Sequence, residues 1–513
     1  MPHQDQSDVL IIGAGLAGLT AALHLAERGL KPIVLEANPQ YVGGRVAGNA
    51  TVEFEQCGQV WRFRGEHGVH GIWSPYRNLQ AMLTRHNLRP TFIPAQEENW
   101  IYRYSNGRVK MAAVGSALRN SWIPAPLHYL ALFIRPRFLQ MLDIRDALSL
   151  IEVWYSLLLA LGVDPLREDQ PLEDQWLSDL TRHWSPALRA FMIGLIRNGL
   201  SAHPEEIPLS GFIAFMRFYT LLRRDTWAFS YLPADGGTSL VEPLAQRLRE
   251  LGGVIELGAK VDRLERSGDR WIAVGGSIGS SPAARSLILA TDAPNTRSIL
   301  CASEATSPIA NDLYFPRGMP TAILRFWYDR LPDNSVEAGI FSGEVVIDNY
   351  FWLHRLQDQY LRWSKATGGS AIEVHIYGPP ELLAESDALL LTRAAADVQA
   401  AFPELRGHLI QQVMQRNDAT HTLFGLGRAD QHLGIVTPWP NLFCCGDWVR
   451  HPSPAFFLER ACVTGIAAAN AVLQSRALNP WPLLGYAQPE WPARLIEKLM
   501  RAGRRTLRKT RRL

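Results

Sequence analysis

Asp8-Val9-Leu10-Ile11-Ile12-Gly13-Ala14-Gly15-Leu16-Ala17-Gly18, carried on to Glu36-Ala37 and Gly43-Gly44-Arg45, is the stretch that decides the fold. Val9 to Ile12 is a short, β-branched apolar run, the composition of a strand buried on both faces. It runs into a G-x-G-x-x-G turn: Gly13 makes the bend, Gly15 lets a diphosphate approach the backbone, and Gly18 lets helix pack on strand. Leu19, Ala22, Leu23 and Ala26 recur at helical spacing, and Gly29 closes that helix. Pro32-Ile33-Val34-Leu35 is a second strand, and Glu36 follows it where a carboxylate can accept both hydroxyls of an adenosine ribose. A lone glycine pattern recurs by chance. Strand, turn, helix, strand and acid in this order imply a bound dinucleotide.

Gly43, Gly44 and Arg45 decide which dinucleotide. An NAD domain needs no second glycine pair there, whereas the longer FAD gives a forked guanidinium a diphosphate to neutralise. The segment Glu36-Ala37-x5-Gly43-Gly44-Arg45 resembles that of the flavin-containing amine oxidase and phytoene (carotenoid) desaturase superfamily. The resemblance implies an α/β fold: a Rossmann-like, glutathione-reductase-type FAD domain with a discontinuous α+β substrate domain. On that pattern Gly13, Gly15, Leu16, Ala17, Gly18, Glu36, Ala37, Gly43, Gly44 and Arg45 are cofactor-binding candidates.

The run Gly65-Glu66-His67-Gly68-Val69-His70, continuing through Tyr76, Asn78 and Leu79, is similar to a segment of zeta-carotene desaturases. In that family it lines the reactive face of the flavin, which places Gly68, Val69 and His70 at the cofactor. A glycine-flanked His70 there could orient the ring or act as an acid or base. A hydrogen-bonded structural histidine is the competing reading, since hydride chemistry at a flavin needs no obligatory base.

From Leu79 to Tyr231 the pattern reads as mostly helical and apolar, punctuated by prolines, with room for a lipophilic pocket between helices. Pro233 to Leu240 resembles the superfamily's P-x-G-G turn before a helix, and Val261 matches the valine whose backbone meets the adenine in relatives. Thr321–Tyr328 and Ala371–Tyr377 alternate like strands with one buried face. Near Leu324 the amine oxidases place a lysine that holds a water against the flavin; no lysine occurs between Lys260 and Lys365, which argues against amine oxidation.

The closing block, Leu442-Phe443-Cys444-Cys445-Gly446-Asp447-Trp448 followed by Leu458-Glu459-Arg460-Ala461-Cys462-Val463-Thr464-Gly465, is similar to the superfamily's last motif. It implies Gly446, Asp447, Ala461, Thr464 and Gly465 as flavin-binding, with Asp447 accepting from ribityl hydroxyls. Its variant of the motif looks closest to isorenieratene-synthase-type enzymes, which aromatise carotene rings. No cysteine falls where flavin is attached covalently in monoamine oxidases, so the FAD is expected to be noncovalent. The resemblance predicts FAD-binding segments at 1–78, 232–312 and 435–475, a substrate domain at 79–231 and 313–434, and a tail at 476–513.

Length and composition set bounds. A chain of 513 residues exceeds one compact core. Five cysteines, an odd number with no C-x-x-C, fit a reduced compartment and argue against a disulfide framework or a zinc site, and no metal is expected. The polar N-terminus leads straight into the first strand, so a cytoplasmic location is expected. Residues 491–513 hold nine Lys or Arg and one Glu, a charge of +8 against a net +3 for the whole chain. Leu495, Ile496, Leu499 and Met500 share one stripe there, a pattern for lying on the inner face of the cytoplasmic membrane. Nucleic-acid binding and a solubilising tail are the rival readings; no nucleic-acid partner is expected. Together the motifs predict an FAD-dependent oxidoreductase that desaturates a carotenoid or related isoprenoid and passes electrons to a quinone or other acceptor. The alternatives are a hydroxysqualene-type oxidase, an amine oxidase, or a non-catalytic prenyl-lipid carrier like the Rab GDP-dissociation inhibitors.

Overall fold

The computed structural model describes residues 6–510 apart from 49, 143, 168–171, 173–174, 335 and 427–430. Strand β1 (Gln6–Ile12), helix α1 (Leu16–Ala26) and strand β2 (Pro32–Leu35) form the expected βαβ unit. Val9, Leu10 and Ile11 are wholly buried because the strand is central, with α1 covering one face. Val254–Glu256, β2, β1, Ala283–Leu289 and Leu442–Cys444 run parallel, and Arg270–Gly275 and Arg263–Ser267 extend the sheet antiparallel. The chain thus returns to one sheet from three distant segments. The helix Phe457–Ser475 packs along α1 so closely that a Cβ at Gly465 would lie 2.6 Å from the Ala17 carbonyl oxygen.

The second sheet has seven strands, with β3 (Gly318–Tyr328) between β4 (Ser370–Ile376) and β5 (Leu409–Thr422). The expected single buried face on these strands is corrected: both faces of β3 and β4 are buried almost throughout. Ile372, Val374, Leu324 and Phe326 pack with Leu390, Ala394 and Val398 of the helix Asp387–Ala401. The opposite face carries Arg325, Glu373 and His375, and Trp327 packs there against Phe63 of the hairpin strand Gln59–Arg64. A buried polar network, and not solvent, supplies the alternation.

The stretch 79–231 is also more mixed than its pattern suggests. Helices Ile144–Gly162, Pro186–Leu200 and Leu209–Met216 are present, but Glu98–Arg103 and Val109–Ala113 are strands of the second sheet. Glu98–Arg103 pairs in parallel with Ala338–Gly343, a partner some 240 residues away. No local periodicity reports such a partner.

The tail forms the helix Trp491–Thr510, which lies against Ile144–Gly162. Its apolar stripe is split. Ile496 and Met500 turn inward, with Met500 against Gly162, while Trp491, Leu495 and Leu499 remain exposed. Ion pairs of Glu497 with Arg217 (2.7 Å) and of Arg501 with Asp164 (3.4 Å) fix the helix to the body. The basic residues from 505 onward lie outside the described side chains.

Candidate active site

A cavity of about 710 Å³ opens at the C-terminal ends of the parallel strands and continues beneath the second sheet. Ligands in open α/β sheets bind at this end of the strands. Gly13, with φ of +102°, makes the turn out of β1, and a Cβ there would lie 3.0 Å from the Ala290 carbonyl oxygen. At Gly15 an added Cβ would meet nothing within 4 Å, so the backbone is bare towards the cavity. Glu36 stands opposite, its Oε2 accepting from the Ala14 N–H (2.7 Å) and its Oε1 from the Asn38 N–H (2.8 Å). A bare turn, a helix N-terminus and a fixed carboxylate fit a dinucleotide: room and positive potential for the diphosphate, an acceptor for the ribose.

Sixteen of the sequence-nominated residues line this cavity: Gly13, Gly15, Leu16, Ala17, Glu36, Ala37, Gly43, Gly44, Arg45, Gly68, Val69, His70, Val261, Gly446, Asp447 and Ala461. Three stand behind them. Gly18 packs α1 on the turn, where a Cβ would fall 2.0 Å from the Gly13 carbonyl oxygen. The Thr464 hydroxyl accepts from the Gly446 N–H (3.0 Å) and so positions the turn before Asp447, and Gly465 admits α1. Arg45 and Asp447, nominated for separate parts of a flavin, pair with each other at 2.6 Å, and Thr422 donates to Asp447 at 3.2 Å. Burial would raise the Asp447 carboxyl, but the guanidinium holds it below the usual range. The acid is therefore an acceptor.

His70 lies in the cavity wall with Nδ1 3.7 Å from Glu66 Oε2, too long for a hydrogen bond. Glu66 itself is taken up by the Gly236 N–H (2.8 Å) and the Gln357 amide (2.8 Å). Nearby His67 and His421 also line the space, and burial depresses both, His421 to about 4, so both are neutral near pH 7.

Beyond Gly68 the lining becomes aromatic. Trp73 stacks on Phe229 with ring centroids 4.4 Å apart and meets Tyr219 edge-on at 4.9 Å, while Tyr219 stacks on Phe457 at 6.3 Å. Leu195, Ile340 and Val114 complete an apolar wall. From β3, Thr321 and Ile323 line the cavity, and among the lining residues the one lysine is Lys260, beside Val261. No lining residue is a cysteine. Cys444 and Cys445 are buried, and burial pushes both thiols up, as befits inert apolar fillers.

Between the two halves sits a polar group the sequence reading passed over. Glu373 Oε2 accepts from Arg325 Nε (2.6 Å), and its Oε1 meets His375 Nε2 and the Val69 N–H, each at 2.8 Å. His375 Nδ1 lies 2.7 Å from the Tyr377 hydroxyl. The available signal was Glu-x-His-x-Tyr at 373, 375 and 377: alternate residues of a strand share one face.

Comparison with known proteins agrees with this geometry. Residues 16–473 match the family of flavin containing amine oxidoreductases. The chain is 21% identical to a carotenoid phi-ring synthase of Chlorobaculum tepidum, over 92% of this chain and 89% of the relative. It is 25% identical to a protein of the same name from Streptomyces griseus, over 92% and 88%. Among solved structures, cyclohexylamine oxidase from Brevibacterium oxydans superposes with a TM-score of 0.64 at 16% identity, covering 92% of this chain and all of that one. At that identity the likeness is one of fold.

Proposed function

The chain belongs to the flavin-containing amine oxidoreductase family, and from that premise we propose that it is an FAD-dependent desaturase of a carotenoid or related isoprenoid. The single observation that carries the substrate class is the aromatic wall continuous with the glycine-lined end of the cavity. Apolar walls with a few placed polar groups suit a hydrocarbon, which offers no charge to anchor. The relatives named as carotenoid ring synthases support the same class.

In this reading Glu36 holds the adenosine ribose, Gly13 and Gly15 admit the diphosphate, and Asp447, kept ionised by Arg45, accepts from the ribityl chain. Bound there noncovalently, FAD supplies a two-electron acceptor for hydride from an allylic C–H bond. The protein's part is to exclude water, through Trp73, Tyr219 and Phe457, and to hold the hydrocarbon against the loop that carries Gly68 and His70. Whether a ring is aromatised, with the methyl shift that requires, is the finer form of the proposal.

The substrate is expected to arrive from a membrane surface, with a quinone among the candidate acceptors. Among the described residues no helix is long and apolar enough to cross a bilayer. Trp491, Leu495 and Leu499 on the tail helix and Leu148, Ile151 and Tyr155 on the helix packed against it are exposed apolar groups, and the tail adds basic residues. That surface suits peripheral docking on an anionic leaflet. Expressing the protein in a host that accumulates lycopene or β-carotene tests the reading. Extracted pigments with longer conjugation are expected; an unchanged pigment profile alongside amine-dependent peroxide formation by the purified protein would overturn it.

A further inference from the structure

Glu373, His375 and Tyr377 lie where the two halves of the cavity meet. The loop expected at the cofactor is bonded to them directly, since the Val69 N–H donates to Glu373. Gly68, at φ of +140°, comes so close that a Cβ there would be 3.0 Å from His375 Cε1. On the other side Tyr377 lines the substrate half beside Phe351, whose ring lies 5.4 Å from that of His375.

The protons of this group can be assigned from its partners. Burial opposes charge on Glu373, but buried Arg325 at 2.6 Å outweighs it and the carboxylate is ionised. An ionised carboxylate only accepts, so the hydrogen between it and His375 sits on Nε2. With that hydrogen on Nε2, Nδ1 faces the Tyr377 hydroxyl at 2.7 Å, where it can accept the phenol hydrogen. The phenol oxygen in turn accepts from Asn349 Nδ2 at 3.1 Å. The order carboxylate, imidazole, hydroxyl is that of a nucleophile-activating triad, with tyrosine in the place of serine.

We propose that Tyr377, backed by His375 and oriented through Glu373, takes the proton that the substrate loses when its new double bond forms. The assignment rests on the desaturation reading. With a bound flavin as hydride acceptor for one carbon, the Tyr377 oxygen would take a proton from the neighbouring carbon and pass its own proton to His375 Nδ1. The C–H pair left behind becomes the π bond. The balance would be one hydride to the cofactor and one proton on an imidazolium beside Glu373. Tyr377 is the catalytic residue; His375 and Glu373 act through it.

Two measurements on the full-length, FAD-loaded protein test this. Nitrogen NMR of the oxidised protein with labelled histidine should find His375 neutral, protonated at Nε2, with a hydrogen-bonded Nδ1 whose signal moves in Tyr377→Phe. A ring protonated at Nδ1, or at both nitrogens, overturns the relay. Tyr377→Phe should retain carotenoid within about twofold of wild type while anaerobic flavin bleaching slows about 100-fold or more. Bleaching at the wild-type rate overturns the assignment alone. A wild-type protein bleached by no isoprenoid overturns the desaturation reading and the assignment with it.

Discussion

The two ends of the cavity are built on different principles. The glycine end is made of backbone: Gly13, Gly15 and Gly43 leave space, and its charges, Arg45 and Asp447, are fixed by each other. The aromatic end is made of side chains, Trp73, Tyr219 and Phe229 packed ring on ring. A cofactor with two phosphates needs a fixed shape and fixed dipoles, so that end tolerates few substitutions. A hydrocarbon needs only dry surface, and many residues supply that. The contrast implies that changes at the glycine end act on folding or cofactor binding, and changes at the aromatic end on substrate alone.

The sharpest break should come within the turn itself. Gly18→Ala places a methyl 2.0 Å from a backbone carbonyl oxygen and is expected to cost about 3 kcal/mol or more of stability, read by thermal melting. Gly15→Ala, three residues away, meets nothing in the protein and should leave the melting of the flavin-free protein unchanged. In the proposed cofactor placement its methyl would meet the diphosphate, so FAD affinity should fall about 100-fold. Equal losses of stability for the two variants would contradict the cradle.

Acid should also tell the ends apart. His421 has a folded pKa of about 4 against an ordinary 6.5, so the unfolded chain takes the proton first as pH falls. Its contribution is complete above about 6.5 and is lost progressively towards about 4, at most about 3 kcal/mol. His421→Gln should flatten the melting profile across that window; an unchanged profile would show that His421 does not stay neutral on folding. The smallest effect is expected at the aromatic end. Leu195→Gln should weaken carotenoid retention about tenfold, roughly 1.4 kcal/mol, and leave FAD binding as it was.

The same contrast explains what could be read from the sequence. The βαβ unit was legible because its signals are local: each glycine constrains its own turn, and Glu36 ends its own strand. The closing motif was legible for the same reason, although its pairing of Asp447 with Arg45 spans 402 residues and was not. Strand Glu98–Arg103 forms a local hairpin with Val109–Ala113, but its other partner, Ala338–Gly343, is distant and left no signal in the surrounding sequence. The alternation on β3 and β4 was seen, but assigned to one buried face, because a buried row of Arg325, Glu373 and His375 looks like a solvated one. What distinguishes them is mutual pairing, and that is a property of the fold.

Titrating the FAD-loaded protein with a carotenoid in detergent, without oxygen, addresses the central claim most directly. A flavin in the glycine end facing a hydrocarbon in the aromatic end should bleach with one equivalent, while the pigment's absorption moves to longer wavelength as a double bond is added. Flavin that stays oxidised with every isoprenoid, and is reduced by an amine instead, would contradict the account.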